Sequence, residues 1–222
     1  MHSGHPVDAA TDGDVRGRLR HVYWLGGGSG AGKSTTARRL AERHGWRLYA
    51  TDDAMHDHAR RATPEEAPHL HAFTAMDMDE RWVERTPKVM YETFHWFRGE
   101  GFGLIVEDLL RLPPETCVLV EGFRLLPHLV APLLTTPRQA VWLLPTPDFR
   151  EAAFQSRATP GEGFLHRTSD PATAAHNLAV RDALFTQHIE QETDRLHLPA
   201  LRVDATLTED ALTERVSDVF GL

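Results

Sequence analysis

The stretch that decides the fold is His21-Val22-Tyr23-Trp24-Leu25, followed after Gly26 by Gly27-Gly28-Ser29-Gly30-Ala31-Gly32-Lys33-Ser34-Thr35. Five residues of mainly apolar, β-favouring type enter a glycine run. Lys33–His44 then places Ala37, Leu40 and Ala41 on one helical face, and Gly45 stops the helix. The run from Gly27 to Ser34 fits G-x-x-x-x-G-K-[ST] in full. Each part has a physical reason. Side-chain-free residues let successive backbone N–H groups turn inward around phosphate oxygens. The positive end of the following helix points at the same charge. The Lys33 ammonium reaches terminal phosphates, and the Ser34 hydroxyl suits Mg2+.

Outward from this motif, short strands alternate with helices. Strands are expected at Trp46–Ala50, Cys117–Glu121, Gln139–Leu144 and Ala200–Asp204. Helices are expected over Pro87–Leu112 with a break near Gly99–Gly103, near Pro127–Leu134, over Asp148–Arg157, from Asp170-Pro171 to about Leu196, and after Thr208. Alternation of this kind implies βαβ units and a parallel sheet. Residues 1–20 lack periodicity and read as a flexible tail, leaving 21–222 as one domain. Residues 52–86 read as irregular, and Ala158–Ser169 as a loop with Pro160, Gly161 and Gly163.

Bulk composition narrows the function classes. The 222 residues are 41% hydrophobic and 25% charged, ordinary for one globular domain. A net charge of −8 weighs against a general nucleic-acid binder, which needs a basic face. No apolar run approaches the roughly 20 residues of a membrane span. Met1–Arg20 is polar, unlike a secretory signal, and Cys117 is the lone cysteine, so a cytoplasmic location is expected. The 14 histidines, including His56/His58 and His69/His71, match no zinc spacing.

Val118-Leu119-Val120-Glu121-Gly122-Phe123-Arg124 is four residues of strand closed by a carboxylate, then a turn. It resembles the Asp-Gly-Phe-Pro-Arg stretch of adenylate kinases, with Glu121 in place of Asp and Arg124 in place of Pro. The resemblance implies a P-loop NTPase fold of the nucleoside monophosphate kinase type: a three-layer α/β/α domain with a five-stranded parallel sheet in order 2-3-1-4-5. It also implies ATP and Mg2+, with Ser34 and Glu121 on the metal side.

Thr51-Asp52-Asp53, with His56 beyond, resembles the acidic strand-two ends of shikimate kinase, gluconate kinase and chloramphenicol phosphotransferase. There a carboxylate orients or deprotonates an acceptor hydroxyl. Either Asp52 or Asp53 fits that part, Asp53 by its Asp-x-x-His spacing and Asp52 by following the strand directly. Residues 52–112 then form the acceptor region, in which Arg60, Arg61, Arg124 and Arg181 are candidate contacts for an anionic acceptor. Met78-Asp79-Glu80-Arg81-Trp82 is weakly similar to a gluconate kinase segment. Arg150, Arg157 and Arg167 flank residues 158–169, which resemble an arginine-bearing lid, with Arg157 the leading candidate for a catalytic cation. Leu201-Arg202-Val203-Asp204-Ala205-Thr206 is similar to the last strand and turn that border the adenine.

The expected activity is therefore ATP-dependent transfer of a phosphoryl group to a hydroxyl of a small molecule such as a sugar, a polyol or an antibiotic. Two alternatives stay open: a nucleoside monophosphate kinase, and a regulatory ATPase without acceptor.

Overall fold

The computed structural model describes residues 9–157 and 163–222, with side chains from Asp14 to Ala153 and from Gly163 onward. Strands β1 (Val22–Gly27), β2 (Arg47–Ala50), β3 (Val118–Glu121), β4 (Ala140–Pro145) and β5 (Ala200–Val203) form one sheet in the order β2-β3-β1-β4-β5. Every pairing is parallel. The expected sheet order and the three-layer P-loop architecture are both present.

The sheet is covered on both faces, as parallel strands require. Alternation along β3 sorts the core: Val118 and Val120 join Trp24, Trp142, Phe185 and Ile189 on one side, while Leu119 joins Leu25, Val141 and Leu143 on the other. The second face is closed by helices α2 (Lys33–His44) and α11 (Glu209–Phe220) through Ala37, Leu40, Val216 and Phe220. Across the first face run α6 (Pro87–Thr93), α7 (Phe102–Leu110), the short α8 (Pro127–Val130) and the 26-residue α10 (Pro171–Leu196). Asp170 caps α10 by accepting from Thr173 N–H, with Pro171 in the first turn, as its sequence signals. Helix α9 is Pro147–Arg157.

Two expectations change. Helix α1 (Ala9–Arg18) occupies half of the stretch read as a flexible tail. Val15 packs against the core and Leu19 just beyond the helix is fully buried, so two apolar anchors dock it. Such sparse anchors leave no amphipathic period to detect. Residues read as irregular hold α3 (Met55–Arg61), α4 (Pro68–Ala75) and α5 (Met78–Trp82). Helices of five to eight residues are too short to display a period or to stand alone.

Tertiary contacts hold them instead. Asp108 on α7 accepts hydrogen bonds from Tyr49 Oη (2.8 Å) and Arg61 Nη1 (2.9 Å), and pairs with His58 Nε2 at 2.8 Å. Burial alone would raise the Asp108 pKa, but the bonds from His58, Arg61 and Tyr49 bring it down to about 2. Among the described residues no helix is long and apolar enough to cross a membrane.

Candidate functional site

Strand register assembles the site. Leu25 of β1 and Ala50 of β2 both stand beside Glu121 of β3, so the three strand ends lie in one row. Thr51 N–H donates to Glu121 O at 2.9 Å, and Gly122 N–H to Leu25 O at 3.1 Å, which extends the row into the following turns. On the other side, Gly28 N–H donates to Leu143 O at 3.0 Å and fixes where the glycine loop leaves the sheet.

Within that loop Gly30 (φ 75°) and Gly32 (φ 82°) are left-handed, a conformation that strains any L side chain. Gly32 is the N-cap of α2 and brings no side-chain cap, so the first amides of the helix are left for a ligand. The Lys33 Nζ donates to Gly28 O at 2.7 Å, with only 8% of the residue exposed, which spans the loop from within. Ser29, Gly30, Ala31, Gly32, Lys33 and Ser34 together with Asp52, Glu121 and Phe123 line a cavity of about 200 Å3.

Two carboxylates enter this cavity. Burial pushes the Glu121 pKa up; Lys33 and a hydrogen bond from Ser34 pull it back. Burial also raises Asp52, against the pull of Lys33 and Arg124, while Asp53 adds to the rise. Both aspartates keep an exposed flank, but Asp53 stands outside the lining, its N–H closing a turn onto Ala50 O. Of the two aspartates, Asp52 is the one the fold brings to the loop. Ser34 and Glu121 offer hard oxygen donors, the chemistry that suits Mg2+. Among the described residues no group of three His, Cys, Asp or Glu side chains is placed to hold a metal ion.

The arginines expected to meet an anionic acceptor are otherwise engaged. Arg60 is exposed and bonded to Asp57 on its own helix. Arg61 is shared among Asp57, Glu107 and Asp108. Arg124 is fully buried, its guanidinium 4.0 Å from the Trp96 ring centre and donating to Thr51 O and Gly101 O. Burial lowers its pKa to about 10 despite Tyr49, Asp52 and Asp108 nearby. Arg181 does reach the site, but bonded to Asp182 through Nε (2.9 Å) and Nη2 (2.7 Å). Arg60 and Arg181 find carboxylates close in sequence, whereas Arg61 and Arg124 also find partners 23 to 73 residues away that spacing does not reveal.

Of the lid candidates, the Arg157 side chain and residues 158–162 lie outside the described residues. Arg167 is exposed. Arg150, 9% exposed, lies against the loop closely enough that a Cβ on Gly30 would meet its Cγ at 3.3 Å.

Two further cavities share walls with the first. One, of about 390 Å3, is lined by Gly30, Gly32, Thr35, Thr36, Phe149, Leu207 and Leu212 among others. It lies toward the turn that follows β5, where the family resemblance expects the adenine. The other, of about 300 Å3, is lined by Ser29, Trp82, Phe94, Phe97, Phe123, Phe164, Leu178, Arg181 and Asp182. Sequence reasoning missed this aromatic wall. Trp82 and Phe123 lie in segments the sequence marks, and Arg181 is a candidate contact there, but the remaining rings carry no local signal.

The five-stranded parallel order and the glycine loop opening α2 define this chain as a P-loop α/β protein. No protein-family model and no curated protein sequence matches it. Among solved structures it is similar to deoxyadenosine kinase from M. mycoides with bound dATP, at 11% identity over 90% of this chain and 100% of that chain, with a TM-score of 0.48. The same enzyme with bound dCTP shows 11% identity over 90% of this chain and 98% of that chain, with a TM-score of 0.45.

Proposed function

We propose that this chain is an ATP-dependent phosphotransferase that moves the γ-phosphoryl group to a hydroxyl of a small molecule, within the small-molecule kinase group its motifs resemble. The observation that carries this reading is that cavities open on two sides of one phosphate cradle. Gly30 and Gly32 are common to the cradle and the cavity by the last turn, and Ser29 and Phe123 to the cradle and the aromatic cavity. A hydrolase needs only a water at the γ-phosphate; a second cavity of about 300 Å3 on that side calls for an acceptor.

In this reading the nucleotide base lies between Phe149 and Leu207, and the phosphates rest on the amides of residues 27–35. Lys33 holds charge at the terminal phosphates, where negative charge spreads in the transition state. Ser34 and Glu121 would hold Mg2+, which when bound would neutralise phosphate charge. Asp52 receives the acceptor. The acceptor oxygen forms a bond to the γ-phosphorus as the bond from that phosphorus to the bridging oxygen breaks. The electron pair stays with ADP, and the hydroxyl proton passes to the Asp52 carboxylate, whose raised pKa suits it to take one. A chain of this kind acts in the cytoplasm, where ATP is supplied.

Isothermal titration of the full chain with ATP and Mg2+ tests the cradle; micromolar binding is expected. An absence of binding to folded protein overturns the reading. ADP release in the presence of hydroxylated compounds then tests transfer, and hydrolysis that no acceptor accelerates would favour a regulatory ATPase.

A further inference from the structure

The aromatic cavity is built with a selectivity of its own. Its rings stand at angles to one another: Phe94 and Phe97 meet edge to face with centroids 4.8 Å apart, and Trp82 meets Phe164 at 5.0 Å. Faces and edges so arranged favour an inserted flat ring over a puckered, hydroxyl-covered one. A sugar or polyol would need a partner for each buried hydroxyl, and the wall offers few polar groups beyond Ser29 and the Arg181–Asp182 pair.

The charges that line the cavity cancel, and Arg85 beside Arg181 donates to Thr93 Oγ1 and Arg81 O and is no part of the lining. The Arg181 guanidinium lies 4.6 Å from the Phe94 ring centre and 5.1 Å from that of Phe97, and its charge is met by the Asp182 carboxylate. The pair is neutral as a unit. Arg60, Arg61 and Arg124 are held by other partners, and Asp52 adds negative charge at the junction with the cradle. Both Arg181 bonds end on Asp182 Oδ1, which leaves Oδ2 as an acceptor at the wall for a ring N–H or amino group.

Position completes the argument. Because Ser29 and Phe123 border both spaces, a ring seated in the aromatic cavity can extend a short arm past Phe123 toward Asp52. We propose that the phosphoryl acceptor is an uncharged molecule made of a flat unsaturated ring carrying a hydroxyl arm, with the ring in this cavity and the hydroxyl at Asp52. This deepens the kinase reading and rests on it.

The test measures ADP formation with Mg2+ and ATP against three sets of probes, with 31P NMR of the product. The first set is ring-bearing alcohols from two sources, nucleosides such as adenosine and thymidine, whose rings carry N–H or amino groups, and 4-nitrobenzyl alcohol, whose ring does not. The second set is glucose and glycerol; the third is AMP and CMP. Phosphorylation confined to the first set is expected, with nucleosides ahead if Asp182 Oδ2 reads the ring. Phe164, 44% exposed, is replaceable without opening the core. Phe164→Ala should raise KM for the active ring compound about tenfold, the value of one lost aromatic contact. Preference for glucose, glycerol, AMP or CMP overturns the proposal and leaves the kinase reading standing. ATP binding with no ring probe bound at millimolar concentration, measured by saturation-transfer NMR, also overturns it. Failure to bind ATP removes the kinase reading itself.

Discussion

Replacing Lys33 by alanine removes the one ammonium group in the phosphate cavity, and its consequence can be worked out from the site. The side chain is nearly buried and donates to Gly28 O at 2.7 Å, so its position is set before any nucleotide arrives. A preorganised donor of this kind stabilises developing transition-state charge by about 3–4 kcal/mol. Two unit charges about 4 Å apart at an effective dielectric of about 20 give the same magnitude, about 4 kcal/mol. At about 1.4 kcal/mol per decade the variant should lose roughly 10²–10³ in kcat.

A second effect follows from the same charge. Burial raises the Asp52 pKa, Lys33 and Arg124 oppose the rise, and Asp53 adds to it. Without Lys33 the carboxylate takes up its proton at higher pH, so the acid limb of kcat moves upward. Stability moves with a definite sign. The folded state holds a proton on Asp52 that the unfolded chain has released above its ordinary value of 3.8. Stability therefore falls as pH rises from there through the folded pKa, and falls over a wider window in the variant. Coupled ADP-formation assays between pH 5 and 9, with thermal unfolding over the same range, measure both. A kcat within threefold of the parent, or an acid limb that moves down, refutes the argument.

If Asp52 receives the acceptor as proposed, Asp52→Asn should lower kcat by about 10²-fold with little change in ATP affinity; calorimetry showing an equal loss of ATP binding would place it with the metal instead. Glu121→Gln should abolish the Mg2+-dependent gain in ATP affinity and leave metal-free ATP binding nearly intact, as titrations with and without EDTA would show. Asp108→Ala removes the acceptor shared by Tyr49, His58 and Arg61 and should cost about 3–4 kcal/mol in urea unfolding at pH 7. The Asp108 pKa is depressed, so its stabilisation is present above 3.8 and lost as pH falls toward 2; the gap between parent and variant should close over that range.

What was legible in the sequence followed from local rules. The glycine loop, the 3.6-residue period of Ala37, Leu40 and Ala41, and the Gly45 stop placed α2 at its observed bounds, Lys33–His44. Four apolar residues ending at Glu121 placed the acidic strand end, and register in the sheet then carried it to the loop. The partners of Arg60, Arg61 and Arg124 were not legible because a cation's engagement depends on groups 3 to 73 residues away. The aromatic cavity was hidden for a different reason. Its rings come from α5, from Phe94 at the end of α6, from the turns His95–Arg98 and Phe164–Arg167, and from the turn after β3, so only tertiary folding makes them neighbours.

One helix couples that cavity to the core. On α10, Phe185 stacks on Phe97 with centroids 3.8 Å apart and 6° between planes, fixing one wall. One turn earlier Arg181 and Asp182 supply the polar edge. One turn earlier again, Asn177 Nδ2 donates to Trp82 O and Val83 O, each at 3.1 Å, and so ties α5 with its Trp82 ring to the same helix. On the proposed reading, acceptor selectivity is held by packing of α10, whereas the phosphate cradle is held by β1 and α2. The two should separate under mutation. Asn177→Ala unties Trp82 without touching the cradle; it should raise acceptor KM severalfold and leave KM for ATP unchanged. It should also cost about 1–3 kcal/mol of stability for the buried carbonyls left unmet. Equal changes in both KM values would mean that α10 organises the whole site, and the division between cradle and cavity would be lost.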